Sequence, residues 1–328
     1  MAESIRGQIR ILKRKGMVIS SPSEARKILG NENYYNVINA YKDLFIDPTY
    51  SATSSTDPKE KFLPNTNFDE LYNMFLFDKE LRELFLKYFL IIENQFKTHV
   101  AYEFALLYGE EGYLNVDNFN FSKSNALNVV ELQSIINSTI YKNRTTDRIK
   151  HFYEINRKSI PIWALVSFFE IGKIRKFYIN CKDGLKKTIA SKYNLNVSQL
   201  TSMIAIINMF RNVCAHDNRL YCYKLNDDNK QIADTEIHSN MKIDTISTPT
   251  GDYYTLGKRD LFAIVISLRY LLSNELFNEF YNELIKIVNV LKSKLNTISI
   301  DKVLKKMGFP LSSSSGQLDW TSINTVAK

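Results

Sequence analysis

The chain has 328 residues, enough for two domains or for one large helical domain with additions, and its 11 glycines and 7 prolines are too few for a turn-rich all-β fold. Its net charge of +8 favours an anionic partner, although a solvated basic surface that binds nothing would explain the charge equally well. The sequence has no C-x-x-C pair and therefore indicates no zinc or redox motif. It shows neither the apolar core of a signal peptide nor a run of about 18 apolar residues, so no transmembrane span is indicated. We expect a cytoplasmic protein that binds no membrane.

The N-terminal 66 residues are predicted to form short helices followed by a loop. Helical spacing of Ile5, Ile9 and Leu12 is followed by a stop at Gly16. The stretch Ser21-Pro22-Ser23-Glu24 then has the pattern of a capping box for a second helix. Three prolines and many Ser and Thr residues make residues 47–67 a loop. We therefore predict an N-terminal helical segment and loop over residues 1–66.

The remainder reads as a larger helical domain over residues 67–310. The predicted helices are a short one and a long one between Phe68 and Tyr108, weaker ones over 121–160, a strong segment over 161–181, and others over about 183–193, 197–221 and 258–307. The polar segment near 222–257 breaks the pattern as a loop or a small β-hairpin, and the serine-rich residues 311–328 are expected to be a flexible tail. The predicted fold is therefore all-α with a small insertion.

The stretch "MFRNVCAHDNRLY", from Met209 to Tyr221, places Arg211, Asn212 and His216 in a segment that otherwise has the pattern of a buried helix. On a helical wheel one apolar stripe must face a core, formed by Leu200, Met203, Ile204, Ile207, Phe210 and Cys214. A separate polar flank collects Asn208, Asn212, His216 and Arg219. Arg211 lies at the border, from which its long side chain can reach that flank.

This combination of side chains suits metal-independent RNA cleavage. Arginine binds a phosphate with forked donors, histidine exchanges a proton near neutral pH, and asparagine orients the histidine or binds the phosphate. No carboxylate or Cys/His cluster accompanies them, so neither a metal nor a cofactor is implied. A single histidine is too few for an acid and a base, and a symmetric dimer would supply the second. Taken alone, the short pattern is more often a solvated helix end, where a histidine interacts with the helix dipole.

The stretch "RNVCAHDNRL" has a histidine five residues after an arginine. Five other stretches accompany it along the chain, namely "IRGQIRILKRKGMVI", "NYYNVINAYKDLF", "LRELFLKYFLIIENQFKTHVAYEFALLYGEEGYL", "PIWALVSFFEIGKIRKFY" and "KKMGFP". The first stretch is similar to the pattern of HEPN domains, an arginine followed by a histidine after four to six residues. With the other five, which extend the similarity over nearly the whole chain, the sequence resembles the Abi family of abortive infection proteins of the AbiD/AbiF type.

The resemblance implies a HEPN-like helical bundle and a homodimer with Arg211, Asn212 and His216 as catalytic positions near its interface. It also implies an endoribonuclease that acts as a toxin in phage defence. The alternatives are a non-catalytic module that holds a regulatory or antitoxin RNA, and a protein-interaction dimer in which the polar cluster is an interface network.

Several other residues are weaker candidates. The resemblance makes Glu93 a supporting acidic position, but a salt bridge with Lys97 explains it equally well. Asn208 and Arg219 are expected to support the site. Contacts with RNA phosphates are assigned to Lys97 and to a basic patch formed by Lys173, Arg175 and Lys176, for which a solvated helix end is an equal alternative. Trp163 is expected in the core or at a dimer interface, and His99 in the core or on the surface.

Overall fold

The computed structural model describes residues 3–155, 159–226, 230–248 and 251–310, and helices make up most of this part of the chain. In chain order the α-helices are α1 (Ile5–Arg14), α2 (Pro22–Asn31), α3 (Phe68–Tyr108), α4 (Ala126–Lys142), α5 (Asp147–Lys150), α6 (Ile162–Leu165), α7 (Ile171–Asn180), α8 (Asp183–Ser191), α9 (Val197–Ala215), α10 (Glu236–Asn240), α11 (Leu261–Leu271), α12 (Asn274–Lys292) and α13 (Ile300–Lys306). Short 3₁₀ turns cover Lys42–Leu44, Gly112–Leu114, Val116–Asn118 and Val166–Phe168, and π turns cover Tyr35–Asn39 and His151–Ile155.

A small antiparallel hairpin interrupts the helices, made of β1 (Thr245–Thr248) and β2 (Gly251–Tyr254) with Thr245 opposite Tyr254. The prediction of an all-α fold with a β-hairpin insertion near 222–257 is therefore confirmed. The predicted tail, 311–328, lies outside the described residues. Among the described helices none is long and apolar enough to cross a bilayer.

Helix α3 is the element against which most of the bundle packs. It begins where the side chain of Asn67 accepts a hydrogen bond from the backbone N–H of Asp69 (3.1 Å), and it ends before Gly109, whose φ is +82°. The 41 residues between contain neither Gly nor Pro, so nothing breaks the helix. The expectation of a short helix followed by a long one is therefore wrong. Helices α7, α8, α9 and α12 all contact α3.

The N-terminal segment is attached to the start of α3 by backbone hydrogen bonds. Val18 N donates to Thr66 O (2.8 Å), and Phe68 N donates to Val18 O (2.9 Å). Helix α2 starts at Pro22 as predicted, but the Ser21 side chain makes no capping hydrogen bond. Apolar side chains of this segment and of the later helices form one buried cluster. The domain boundary at residue 66 stays a prediction.

The segment after Pro161 is not one continuous helix. A 3₁₀ turn and the buried, extended Phe169 separate α6 from α7. Helices α7, α8 and α9 then follow with short connections. A capping box opens α9: the Asn196 side chain accepts from Gln199 N (2.9 Å), and the Gln199 side chain accepts from Asn196 N (3.1 Å).

The segment between α9 and α11 folds back onto α9. We call residues 230–248 and 251–258 the hairpin segment. Ala233 N donates to Oγ of Ser202 (2.9 Å), and Nε2 of Gln199 donates to Asp234 O (2.9 Å). The buried ring of His238 lies between Thr235 and the carbonyl oxygen of Gly257, and its burial lowers the pKa of the imidazole. Through its contacts with Ser202 and Gln199, the hairpin segment lies alongside α9.

Candidate functional site

Helix α9 has the two-sided character that its sequence predicts. All six apolar residues of the stripe are buried: Leu200, Met203, Ile204, Ile207, Phe210 and Cys214. They pack towards α3, α7, α8 and α11, whereas Asn212 and His216 are exposed to solvent. The helical wheel therefore predicts correctly that the six apolar residues are buried and that Asn212 and His216 lie on the exposed side.

Asn212 and His216 lie together in a shallow pocket of about 450 Å³ at the C-terminal end of α9. The backbone N–H of His216 donates to Asn212 O (3.1 Å), so the two residues occupy consecutive turns. The pocket is lined by Met209, Asn212, Val213, His216, Asn218, Tyr223, Leu225, Asn226 and Lys230. An imidazole and an amide are thus presented side by side above an apolar floor.

Arg211 is half-buried and does not line this pocket. Its Nε is buried without a hydrogen-bond partner, and Arg211 forms no ion pair with any residue that the structure describes. Burial of this one N–H group without a partner costs free energy, which an anion bound from outside the chain would offset. Because Arg211 is absent from the lining of the pocket that holds His216, one chain by itself does not bring the two side chains into one pocket.

The turn that follows α9 is fixed by a buried carboxylate on α3. Asp78 accepts hydrogen bonds from the backbone N–H groups of Tyr221 (2.7 Å) and Leu220 (3.1 Å) and from the hydroxyl of Tyr41 (2.8 Å). Burial raises the pKa of Asp78, and these donors act against that rise. Arg82 Nη1 donates to Asp78 (2.9 Å), and its Nε lies 3.5 Å from the exposed carboxylate of Asp217. Sequence reasoning missed this pair, although Asp78 and Arg82 have i, i+4 spacing inside an apolar stretch.

Arg219 does not belong to the polar flank. The helix was predicted to run to about residue 221, but α9 ends at Ala215, with His216 as its cap and Asp217 in the left-handed region at φ +52°. Arg219 therefore points elsewhere: its Nη1 donates to Ala40 O (2.6 Å), and Asp43 lies 4.0 Å away. The expected support of the site by Arg219 thus has no geometric basis within one chain.

Asn208 also lies apart from the pocket of Asn212 and His216. It faces the start of α7, where a Cβ on Gly172 would lie 3.3 Å from Oδ1 of Asn208. It lines a neighbouring, larger groove instead.

Glu93 and Lys97 form a buried ion pair on α3, with Nζ of Lys97 2.6 Å from Oε1 of Glu93. The structure therefore contains the salt bridge that is the alternative to a supporting role for Glu93. It also corrects the placement of Lys97, which is too buried to contribute to an exposed surface for RNA.

The three basic residues of α7 do not form one patch. Nζ of Lys173 donates to Oγ1 of Thr139 (3.2 Å) and Lys176 pairs with Glu131, so both face α4. Arg175 is on another side of the helix, where it lines the larger groove beside α9. Because successive residues of a helix point about 100° apart, adjacent positions in the sequence do not share a face.

Trp163 and His99 both make hydrogen-bonding contacts within the chain. Trp163 is 55% exposed and its Nε1 donates to Oε1 of Glu110 (3.3 Å), so the expected core position is wrong and the interface position stays a prediction. Nδ1 of His99 is 2.9 Å from the hydroxyl of Tyr193, and burial lowers the pKa of His99. Across the described ranges, no three His, Cys, Asp or Glu side chains are grouped as metal ligands would be.

Comparison with known proteins identifies one family. Residues 27–222 match the model of the family described as Abi-like protein, which is more than half of the chain and includes α3, α9 and the Arg211–His216 motif. The similar stretches before residue 27 and after residue 222 lie outside the matched range, as does the hairpin segment. No curated protein and no solved structure matches the chain.

Proposed function

The chain belongs to the Abi-like protein family, and on this basis we propose that it is a metal-independent endoribonuclease that acts as a toxin in phage defence. Family membership links it to abortive infection. RNA as the substrate is supported by the net charge of +8 and by the chemistry of the candidate site.

One observation carries the proposal. Asn212 and His216 are exposed next to each other in one pocket, at the end of a helix whose other face is fully committed to the core. Asp78 holds the backbone of Leu220 and Tyr221 in the turn that follows, so the chain is anchored on both sides of His216. A catalytic group held in this way on a rigid element is preorganised.

The reaction needs one base and one acid. A neutral His216 takes the proton of a ribose 2′-OH, and the 2′ oxygen attacks the adjacent phosphorus. The bond from phosphorus to the 5′ oxygen breaks, and the leaving oxygen receives a proton from a second imidazole in its charged form. The products are a 2′,3′-cyclic phosphate and a free 5′-OH. Arg211 stabilises the charge that develops on the phosphate, and Asn212 orients the imidazole or the phosphate.

The second imidazole and the guanidinium that faces it across the phosphate come from a second copy of the chain. Arg211 has no ion pair with a described residue of its own chain, and His216 lies at the exposed end of its helix. A twofold axis close to the end of α9 would place two His216 and two Arg211 side chains around one phosphate. The proposed active site is therefore composite.

Cleavage of total RNA in the presence of EDTA tests the proposal. We expect cleavage by the wild-type protein, a loss of at least about 100-fold for His216→Ala and Arg211→Ala, and near-normal cleavage by the matched control Arg219→Ala. Abolition by EDTA, or full activity in both site variants, would overturn the mechanism. RNA binding that weakens in Arg211→Ala without any cleavage product would instead favour a non-catalytic module that holds a regulatory or antitoxin RNA.

A further inference from the structure

The larger groove beside α9 takes no part in the proposed cleavage reaction. Its volume is about 720 Å³, within the range of roughly 300–1,000 Å³ that small-ligand sites occupy. One wall consists of α7 and α9, with Arg175, Thr201 and Asn208, and the other of the hairpin segment, with Asp234 and Tyr253. The groove and the pocket of His216 share Met209, Leu225 and Lys230, so the two form one continuous depression.

We infer that this groove binds the single-stranded RNA next to the cleaved phosphate, with Arg175 contacting a phosphate and Tyr253 stacking on a base. The inference rests on the proposed function, because it takes the phosphate at His216 as the point from which the strand continues.

Arg175 is the first observation that points to an anionic ligand. It is half-buried, its Nε has no hydrogen-bond partner, and it makes no ion pair with any described residue. Burial makes such an arrangement unfavourable, and it lowers the pKa of Arg175 accordingly. A phosphate in the groove would pair with the guanidinium and remove this cost.

The charges around Arg175 favour an anion only moderately. Lys258 is paired with Asp234, and Asp252 accepts a hydrogen bond from Oγ of Ser247 (2.6 Å). Arg175, on the α7 side of the groove, is therefore the cation that we assign to the phosphate.

Tyr253 is the second observation. Its ring is 42% exposed on β2 and lines the groove. Aromatic rings at the edge of a cationic groove bind single strands because every base has a π face that can stack. The apolar floor, which includes Ile206, Met209 and Leu225, suits the flat faces of bases.

The location of Tyr253 outside the family match separates two parts of the proposed RNA site. The matched range ends at Cys222, so the catalytic helix and Arg175 lie inside it, whereas the hairpin wall lies outside it. The hairpin segment therefore adds a base-stacking contact to a site of the family type.

Binding of RNA to a cleavage-deficient protein tests the inference. In a His216→Ala background, the affinity for a labelled single-stranded RNA of about ten nucleotides is measured by fluorescence anisotropy. We expect Tyr253→Ala to weaken binding about tenfold and Tyr253→Phe to retain it. Tyr102→Ala, which removes another exposed tyrosine on α3 (58% exposed), is the matched control and should have no effect.

Arg175→Gln should weaken binding and also lower the slope of log Kd against log salt concentration by about 0.7, the value for one phosphate contact on a single strand. Arg10→Gln, at an exposed position on α1, is its control. Thermal melting confirms folding, and Tyr253→Ala decides the case if Arg175→Gln does not fold. Unchanged affinity in Tyr253→Ala, or no RNA binding at all, would overturn the inference.

Failure of this inference differs from failure of the proposed function. A wild-type protein that cleaves RNA, together with groove variants that bind and cleave normally, would refute the groove alone. Binding that depends on Tyr253 and Arg175 without cleavage by the wild-type protein would refute the nuclease and retain the groove.

Discussion

Replacement of Asp78 by asparagine should destabilise the protein and disturb the candidate site at the same time. The carboxylate receives four hydrogen bonds, from two backbone N–H groups, the Tyr41 hydroxyl and Arg82. An amide in its place can still accept from Tyr221 N, and the Tyr41 hydroxyl can rotate to accept from the amide. The ion pair with the buried Arg82 is lost.

The magnitude follows from that lost pair. A hydrogen bond to a charged group contributes about 1.5–3 kcal/mol, and stranding a buried charge costs about 3–5 kcal/mol. Arg82 keeps a partial substitute in Asp217, 3.5 Å from its Nε, so we expect Asp78→Asn to lower the free energy of unfolding by about 2–3 kcal/mol.

Urea denaturation followed by circular dichroism measures this loss. Glu80→Gln, an exposed position two residues along the same helix, is the matched control and should change stability by less than about 0.5 kcal/mol. RNA cleavage should fall in Asp78→Asn under conditions where the variant is fully folded, because the turn after His216 loses its anchor. A variant as stable as the control would refute the role that we assign to Asp78.

Three further predictions concern charged groups outside the pocket. Burial raises the pKa of Asp260 to about 6 from 3.8, so the stability that comes from its protonated form is present below pH 4 and is lost as pH rises to about 6. The free energy of unfolding of the wild type, measured relative to Asp260→Asn, should therefore fall by up to about 3 kcal/mol across that window. A difference that stays constant with pH would contradict this assignment. Arg219→Ala should cost about 1 kcal/mol through its lost bond to Ala40 and leave cleavage within about twofold, whereas a loss as large as that of His216→Ala would return Arg219 to the active site. Lys97→Met should lower the free energy of unfolding by about 3 kcal/mol, because it leaves the buried carboxylate of Glu93 without its partner. In urea denaturation, the double variant Glu93→Gln with Lys97→Met should lose less stability than the sum of the two single variants, and additive losses would mean that the two residues act independently.

The sequence predicts the two faces of α9 but not its end. Apolar spacing identifies six buried residues of α9, since a helix of period 3.6 must bury one side, but it misses the buried Ile206 and Val213. The end is set by tertiary contacts, because Asp78, far away in the sequence, binds the backbone of Leu220 and Tyr221. A wheel extended past Ala215 therefore placed Arg219 on the wrong side.

Other helix boundaries could be predicted only where the sequence contains a residue that typically ends a helix. Gly109 marks the end of α3 by a positive φ, which the sequence indicates. The break between α6 and α7 has no such signal, since the buried, extended Phe169 marks it. The larger groove could not be predicted either, because the hairpin segment reaches α9 through contacts such as Ala233 N to Ser202 Oγ that no local pattern encodes.

The central claim is that one active site needs His216 from two chains. The most direct measurement is the RNA cleavage rate of a purified heterodimer, isolated with two different affinity tags, in which one subunit is wild type and the other carries His216→Ala. A composite site predicts a rate at least about 100-fold below that of the wild-type dimer, because either the acid or the base is missing from every site. A rate close to half that of the wild-type dimer would mean that each chain works alone, and it would contradict the account.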